Sequence, residues 1–469
     1  MAKGKKNDAL TIEERLEAAL VPEDEQPYEV PKNWCWTRIS VVSDFERGIT
    51  FPASAKEYEQ TESNIPCLRT ANIQEEVEFE DLLYVDKLYM RDNGSKLVRK
   101  DDIIMSTANS RELVGKVAYV HNVNFPITFG GFVLGIRANS IIPKYLFYDL
   151  RFEFLCGNFM GESTQTTNIA NINTTTLGKY CIPLPPLPEQ RRIVERIESL
   201  FSKLDEARNK AQEALDSFEE RKAVLLHKAF SGELTEKWRK ENQEGEWNWE
   251  EVPFGSLIID GPQNGLYKPQ TAYGEGIKIL RIDCFYDGYL EPWDTLKRLQ
   301  LSDSEINLYQ LRIGDIVVNR VNSMPYLGKS ALIRELPETC VFESNMMRIS
   351  VDAQRVIPEY IIRYLNSNMG LKELRKNAKQ AVNQASINQQ DVKNSLIRLP
   401  EIPEQQEIIR MLDGIIEKDE RARDSAIETI GMIDTLKKSI LAKAFHGELG
   451  TNAPMDESAI ELLKQILEV

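Results

Sequence analysis

Two stretches of the chain place apolar residues at alternating four- and three-residue steps for far longer than an ordinary surface helix requires. In the first, the series is Ile193, Ile197, Leu200, Leu204, Ala207, Ala211, Ala214, Phe218 and Leu225, with Arg221 off the pattern. In the second it is Ile408, Leu412, Ile415, Ala422, Ala426, Ile433, Leu436 and Ile440, with Asp419 and Thr429 interrupting. Heptad spacing sustained in this way predicts a coiled-coil seam. Both stretches open on the same tripeptide, Pro188-Glu189-Gln190 and Pro403-Glu404-Gln405. They also close alike, on Lys228-Ala229-Phe230-Ser231-Gly232-Glu233-Leu234 and Lys443-Ala444-Phe445-His446-Gly447-Glu448-Leu449, at an offset of about 215 residues. Proline suits a first helical turn, where its missing N–H costs nothing. Glycine suits the left-handed stop at the other end. About 40 residues at 1.5 Å each make a rod of roughly 60 Å. Matched length, matched register and small alanines in mid-seam favour pairing of the two helices with each other over two amphipathic helices on separate cores. Each helix joins the end of one domain to the start of the next region, so an antiparallel pair would hold two domains at opposite ends.

Ahead of the first long helix, from Trp34 to about Pro183, the pattern is one of short apolar runs bounded by turn residues, which read as strands. Ile65-Pro66-Cys67-Leu68-Arg69, Asp102-Ile103-Ile104-Met105, Gly115-Lys116-Val117-Ala118-Tyr119-Val120 and Phe132-Val133-Leu134-Gly135-Ile136 are such runs, and Pro143-Lys144-Tyr145 opens a helix behind them. The same order returns after the first long helix. Trp247-x-Trp249 matches Trp34-x-Trp36, Leu280-Arg281 matches Leu68-Arg69, and Asp315-Ile316-Val317 matches Asp102-Ile103-Ile104. Asn322-Ser323 matches Asn109-Ser110, Gly328-Lys329 matches Gly115-Lys116, and Pro358-x-Tyr360 matches Pro143-x-Tyr145. Gln380-x-x-Asn383-x-x-x-Ile387-Asn388 repeats Gln165-x-x-Asn168-x-x-x-Ile172-Asn173. The expected fold is α+β: two similar α+β domains separated by two long helices that form an antiparallel coiled coil, an internal pseudo-twofold repeat. The boundaries are an N-terminal helical segment at 1–30 and a first domain at 31–187, followed by a long helix at 188–234. A linker and second domain occupy 235–402, the second long helix 403–449, and a C-terminal helix 450–469. Capping boxes at Thr11-Ile12-Glu13-Glu14 and Ser458-Ala459-Ile460-Glu461 start the terminal helices. Leu10-Thr11 and Leu234-Thr235 are candidate equivalents in a circularly arranged repeat.

Composition refines this picture without redirecting it. Hydrophobic content of 42% and charged content of 28% are those of a soluble globular protein, and no apolar run suits a bilayer span or a signal peptide. A cytoplasmic chain with reduced thiols fits the six scattered cysteines, Cys35, Cys67, Cys156, Cys181, Cys284 and Cys340, which form no C-x-x-C pair. The net charge of −15 weighs against a nucleic-acid partner. Its distribution weakens that objection: about −4 falls in 1–30 and about −7 in 400–469, leaving about −2 for 31–187 and −1 for 245–399. Catalytic chemistry is sparse. The three histidines are His121, His227 and His446, and no H-E-x-x-H, Cys/His cluster or G-x-S-x-G is present. Leu327-Gly328-Lys329-Ser330 has the end of a phosphate-binding loop, but Ser323 stands where its first glycine is required.

The Pro-Glu-Gln starts, the Lys-Ala-Phe-x-Gly-Glu-Leu ends, the Trp-x-Trp pairs and the Gln-x-x-Asn-x-x-x-Ile-Asn stretches together resemble the specificity subunit of type I restriction-modification enzymes, over nearly the whole chain. The resemblance implies two target recognition domains, each reading one half of a split double-stranded DNA sequence, with the coiled coil as a ruler. It implies two methyltransferase subunits that bring S-adenosylmethionine, and restriction subunits that bring ATP and Mg2+. The chain itself would then be non-catalytic, hold no cofactor or metal, and have no membrane role. Side chains that can read or hold a duplex are Arg69, Asn72, Thr107, Asn109, Ser110, Arg111, Lys116, Thr167 and Asn168 in the first domain. In the second they are Arg281, Asn319, Arg320, Asn322, Ser323, Lys329 and Asn383. Gln165 and Gln380 are either readers or braces of the helix junction. Identity between the copies points to structural roles, and differences such as Arg111 against Met324 or Thr107 against Arg320 point to readout. Charged positions off the seam, Arg191, Arg192, Glu195, Glu404 and Glu407, are the candidate surface for methyltransferase docking. Two other readings stay open. One is a coiled-coil adaptor with two protein-binding modules. The other is a nuclease built on acidic pairs such as Asp101-Asp102 or Glu75-Glu76.

Overall fold

The structure, a computed structural model, describes residues 11–90, 94–161, 164–165, 170–242, 249–286, 288–382 and 384–468, with residues 161, 164, 165 and 286 described by backbone alone. It divides into two compact units, Met1–Lys210 with Thr429–Val469, and Ala211–Glu428. The division falls within the long helices, so each unit contains one α+β domain, part of the first helix and part of the second.

In the first unit a four-stranded antiparallel sheet runs in the order Ser43–Arg47, Val133–Ala138, Ile103–Ser106, Val117–Tyr119. Strand Ile103–Ser106 is buried at every position because both faces of the sheet are covered. Ile103 and Met105 pack with Leu146 and Leu150 of helix Pro143–Cys156. Ile104 points the other way, to Leu68 and Phe129. These last belong to a second sheet, Leu83–Asp86, Asn64–Leu68, Thr128–Phe129, whose final pair is parallel. Strand Cys35–Arg38 pairs with Cys181–Leu184 and brings the domain's two ends together. The second unit repeats this plan. Its four-stranded order is Ile258–Asn264, Met346–Val351, Ile316–Asn319, Ser330–Leu332, and its three-stranded order Arg298–Leu299, Tyr273–Leu280, Cys340–Phe342, again with a parallel last pair. Strand Glu250–Pro253 pairs with Leu396–Leu399.

The two long helices run antiparallel wherever they meet within a unit. In the first, Asp205 pairs with Lys437 at 2.6 Å and Arg208 with Asp434. In the second, Arg221 meets Asp419 at 3.2 Å, and Arg423 lies over the Phe218 ring. The second helix is continuous over Ile402–Phe445. The first is interrupted: Leu187–Asp216 ends and Phe218–Ser231 begins at Ser217. There the Ser217 hydroxyl donates back to the Ala214 carbonyl, and the Arg221 guanidinium reaches the same carbonyl. Back-bonding of this kind competes with the helical ladder.

The seam also departs from expectation at alternate positions. Ile415 is 39% and Leu436 47% exposed, and Ala422 and Ala214 are exposed too. The inward positions are one residue later: Ile416, Lys437, Phe201 and Leu215. Lys437 packs its stem over Phe201 while its ammonium bonds Asp205. At Leu436, reading apolar identity alone therefore selects the neighbour of a seam position filled by a long cation, while at Ile415 and Ala214 it selects one of two adjacent apolar residues.

The terminal segments close the repeat. Helix Ile12–Ala19 starts at the expected capping box, with Thr11 accepting from the Glu14 amide. It packs on the C-terminal helix Ala459–Glu468, where Arg15 donates to the Leu467 carbonyl at 3.0 Å. No described helix is long and apolar enough to cross a membrane, and all six cysteines are unpaired.

Candidate nucleic-acid interface

The repeated tripeptide is explained first, because it fixes what is left for readout. Glu189 accepts the Trp34 indole N–H at 2.8 Å, and Glu404 accepts that of Trp249 at 3.1 Å. Gln190 accepts the Ile142 amide and Gln405 the Ile357 amide, both at 2.9 Å, so each glutamine ties the long helix to the start of its domain's own helix. At the far ends, Phe230 packs on Tyr360 and Tyr364 in the second unit, and Phe445 on Tyr145 and Phe152 in the first. Each domain is thus clasped by the start of one long helix and the end of the other. Glu404, expected on an outward face, is 2% exposed. Arg239, Thr235 and Trp249 all donate to its carboxylate. At Glu189 the corresponding donor is Asn452 at 3.0 Å, a residue following the second helix, and not Thr11. Burial outweighs these donors and raises the Glu189 carboxyl above the usual range.

Beside each clasped domain the structure assembles a small three-stranded sheet from the repeated motifs. Ala108–Asn109 pairs with Ala170–Asn171, which pairs with Thr164–Gln165. Val321–Asn322 pairs with Gln384–Ser386, which pairs with Lys379–Ala381. The Gln-x-x-Asn stretches thus contribute paired strands, with Gln165 and Gln380 each on one of them. Gln380 is exposed on one strand and Val382 at the tip is 92% exposed. Thr167, Asn168 and Asn383 lie outside the described residues.

The Asn-Ser-x-x-x-x-Gly-Lys match is a shared turn. Asn109 and Asn322 each accept the amide of the following serine, at 2.9 and 2.8 Å. The carbonyl of Ser110 accepts from Leu113 and Val114, and that of Ser323 from Tyr326 and Leu327. Gly115 and Gly328 close the loops on the Ser106 and Asn319 carbonyls at 2.8 Å, with φ of +83° and +77° that favour glycine. Residues common to both copies form the turn itself. Of those that differ, Arg111 is exposed and its counterpart Met324 packs on the core of its unit.

The remaining candidates separate by burial. Asn72 is 3% exposed, accepting the Arg69 amide and donating to the Glu80 carbonyl, and Asn319 is 2% exposed. Both are inside the protein and cannot reach a base. Arg69 is paired with Asp81 at 3.3 Å, and Arg281 lies 3.5 Å from Glu343. Lys116 donates to Gln74, and burial followed by the Arg151 charge lowers its ammonium below the ordinary lysine range. Arg320 donates to the Ser344 carbonyl at 2.9 Å, and Lys329 sits over the Tyr326 ring at 5.2 Å. Thr107 is half-buried, with its backbone bonded to Phe132 and Ile172. On the first long helix Arg191 and Glu195 are exposed, while Arg192 bonds Asp456 and the Thr451 carbonyl. Glu407 is held by Arg410.

The acidic pairs do not converge on a metal. Asp102 is ion-paired with Arg137 at 3.0 Å, Asp101 accepts the Tyr119 hydroxyl, and Glu75 and Glu76 face Arg151 and His121. No cluster of potential metal ligands occurs among the described residues.

Comparison with known proteins agrees with this architecture. The family model described as the type I restriction modification DNA specificity domain matches residues 31–215 and 264–429. Since those two matches cover more than half of the sequence, the chain belongs to that family. It is 27% identical over 425 residues to the EcoKI specificity subunit of Escherichia coli K12, covering 90% of each chain. It is also 27% identical over 424 residues to the StySPI specificity subunit of Salmonella potsdam, again covering 90% of each. Among solved structures, the fold is similar to the HsdS subunit from Thermoanaerobacter tengcongensis, with a TM-score of 0.59 at 21% identity, covering 90% of this chain and 99% of that one. It is likewise similar to a chain from a study of assembly and conformational transition in a type I R-M system, with a TM-score of 0.64 at 21% identity, covering 90% and 100%.

Proposed function

We propose that this member of the DNA-specificity family is the sequence-reading subunit of a type I restriction-modification complex, each α+β domain reading one half of a bipartite DNA target. The coiled coil sets the distance between the half-sites, and its outward face, including Arg191 and Glu195, docks two methyltransferase subunits. The chain is non-catalytic. Methyl transfer with S-adenosylmethionine, and ATP- and Mg2+-dependent restriction, reside on the partners, and the complex works in the cytoplasm. One observation carries this reading: the two domains share the backbone hydrogen bonds that close the Asn-Ser turn and the asparagine-to-serine bond that opens it, while differing at Arg111 against Met324 and Thr107 against Arg320. A constant frame with changed side chains is what two readers of different half-sites require, because the major groove distinguishes all four base pairs by side-chain chemistry.

The test is methylation-site mapping by long-read sequencing in a host expressing the chain with its methyltransferase, against a host lacking the chain. A motif of two short half-sites around a fixed unread gap is the expected result. An active methyltransferase with no split motif would overturn the proposal in favour of a protein adaptor.

A further inference from the structure

We infer that the tight turn at residues 130–132, with its counterpart at 343–345, is an additional reading element, and that Phe132 and Asn345 at its apex determine specificity; the inference rests on the DNA-reading function proposed above. In both units the turn is held by the same backbone hydrogen bonds, to which the second adds the Arg320 guanidinium on the Ser344 carbonyl and the Glu343 carboxylate on the Ile282 amide. On one side it sits on a glycine: a Cβ on Gly48 would lie 2.1 Å from the Gly130 oxygen, and one on Gly265 would lie 2.2 Å from the Glu343 oxygen. The amides next to that seat bond across it in the same way, Ile49 to Phe129 and Leu266 to Phe342, each at 2.8 Å. On the other side the Phe132 carbonyl accepts the Thr107 amide at 3.0 Å, and the Asn345 carbonyl accepts the Arg320 amide at 2.9 Å. Thr107 and Arg320 in turn accept from Ile172 and Ile387 of the hairpins, both at 2.9 Å. The apex is thereby joined to the strand and hairpin of the candidate interface, and among the described residues neither the Phe132 nor the Asn345 side chain takes part in holding it there.

That freedom is used differently in the two copies. Phe132 is 67% exposed, and it follows two glycines. Asn345 follows Glu343 and Ser344 and is half-buried, with Arg320 donating to the Ser344 carbonyl beneath it. An apolar ring set on a rigid turn reads the 5-methyl group of thymine, whereas a carboxamide reads the N6 and N7 edge of adenine. The structure therefore assigns Phe132 to a thymine in the half-site read by the first domain, and Asn345 to an adenine in the half-site read by the second.

The test uses the full chain in complex with its methyltransferase. Once the wild-type motif is mapped, binding is measured on duplexes in which each thymine of the first half-site is replaced in turn by uracil, which lacks only the methyl group. The wild-type complex is expected to lose roughly 3- to 10-fold in affinity at one thymine, the worth of about one buried methyl group. Phe132→Ala is expected to bind thymine and uracil duplexes equally, while its second half-site in the methylation map stays unchanged and so reports an intact fold. Wild-type binding indifferent to every thymine-to-uracil change overturns the assignment, and so does Phe132→Ala that keeps the wild-type sensitivity. Absence of any split motif with wild-type chain is a separate result, which removes the DNA-reading function and this inference together. For the second turn, Asn345→Ala is expected to weaken binding at one adenine of the other half-site by roughly 5- to 150-fold; unchanged binding there removes that half of the assignment.

Discussion

Glu189 and Glu404 occupy the same place in the two clasps but in different electrostatic company, and this difference is testable. Glu404 faces a guanidinium: Arg239 is 2% exposed and its ion pair with Glu404 is sealed from water. Removing one partner of such a pair strands a buried charge, which costs about 3–5 kcal/mol. Glu404→Ala is therefore expected to destabilise the second unit by that amount in urea unfolding. Glu189 is held by neutral donors, Trp34 and Asn452, so Glu189→Ala should cost only about 1–3 kcal/mol. Asp149 is a different case. It is 1% exposed on helix Pro143–Cys156, and neither carboxylate oxygen has a partner among the described residues. Burial, followed by the neighbouring Glu153 charge, holds its carboxyl well above the ordinary aspartate range. A raised acid binds more protons folded than unfolded, so its contribution is complete below about pH 4 and is lost as pH rises through the folded value. Asp149→Asn is expected to flatten this loss and so to gain on the parent protein as pH rises. Thermal unfolding at pH 5 and pH 8 measures both effects, and equal pH dependence in the two proteins would refute the assignment.

At the scale of elements, the seam of the long helices separates two registers that sequence periodicity could not. Ile433 is 1% exposed and Leu436 47% exposed, although both were placed on the seam by their apolar character. Ile433→Ala should cost about 2–5 kcal/mol, and Leu436→Ala less than about 0.5 kcal/mol, as for other surface positions. Comparable losses in urea unfolding would restore the original register. The duplicated strands, the helix ends and the Thr11 capping box were legible because they rest on local chemistry: β-branched runs, proline, glycine and a threonine cap. The partnership of Glu404 with Arg239 was not, because the two residues are distant in sequence and a glutamate in a first helical turn is otherwise a surface residue. The candidate readers were legible as a neighbourhood and not as individuals. Asn72 and Asn319 belong to matched motifs yet are buried, since a carboxamide serves a turn's own backbone as readily as a base. Phe132 does not stand out in the sequence because it continues the apolar run to Ile136, whereas the strand itself begins at Val133.

For the whole molecule, the proposed ruler would turn a protein length into a DNA length, and the helical phase of the duplex constrains which lengths work. A heptad inserted at matched places in both helices adds about 10 Å to an antiparallel pair while leaving its seam nearly in phase. The same 10 Å along DNA is about three base pairs, which carries the second half-site most of a third of a turn around the axis. One added heptad should therefore abolish methylation of the original motif without creating a strong new one. Three heptads add about 32 Å, close to the 34–36 Å of one duplex turn, and should restore a split motif with the same half-sites and a gap longer by nine or ten base pairs. Methylation mapping of the two insertion variants decides the matter. If a single heptad simply lengthened the gap by three base pairs at full strength, the domains would have to swivel on the coil; if three heptads gave no motif, the coil would not be the ruler.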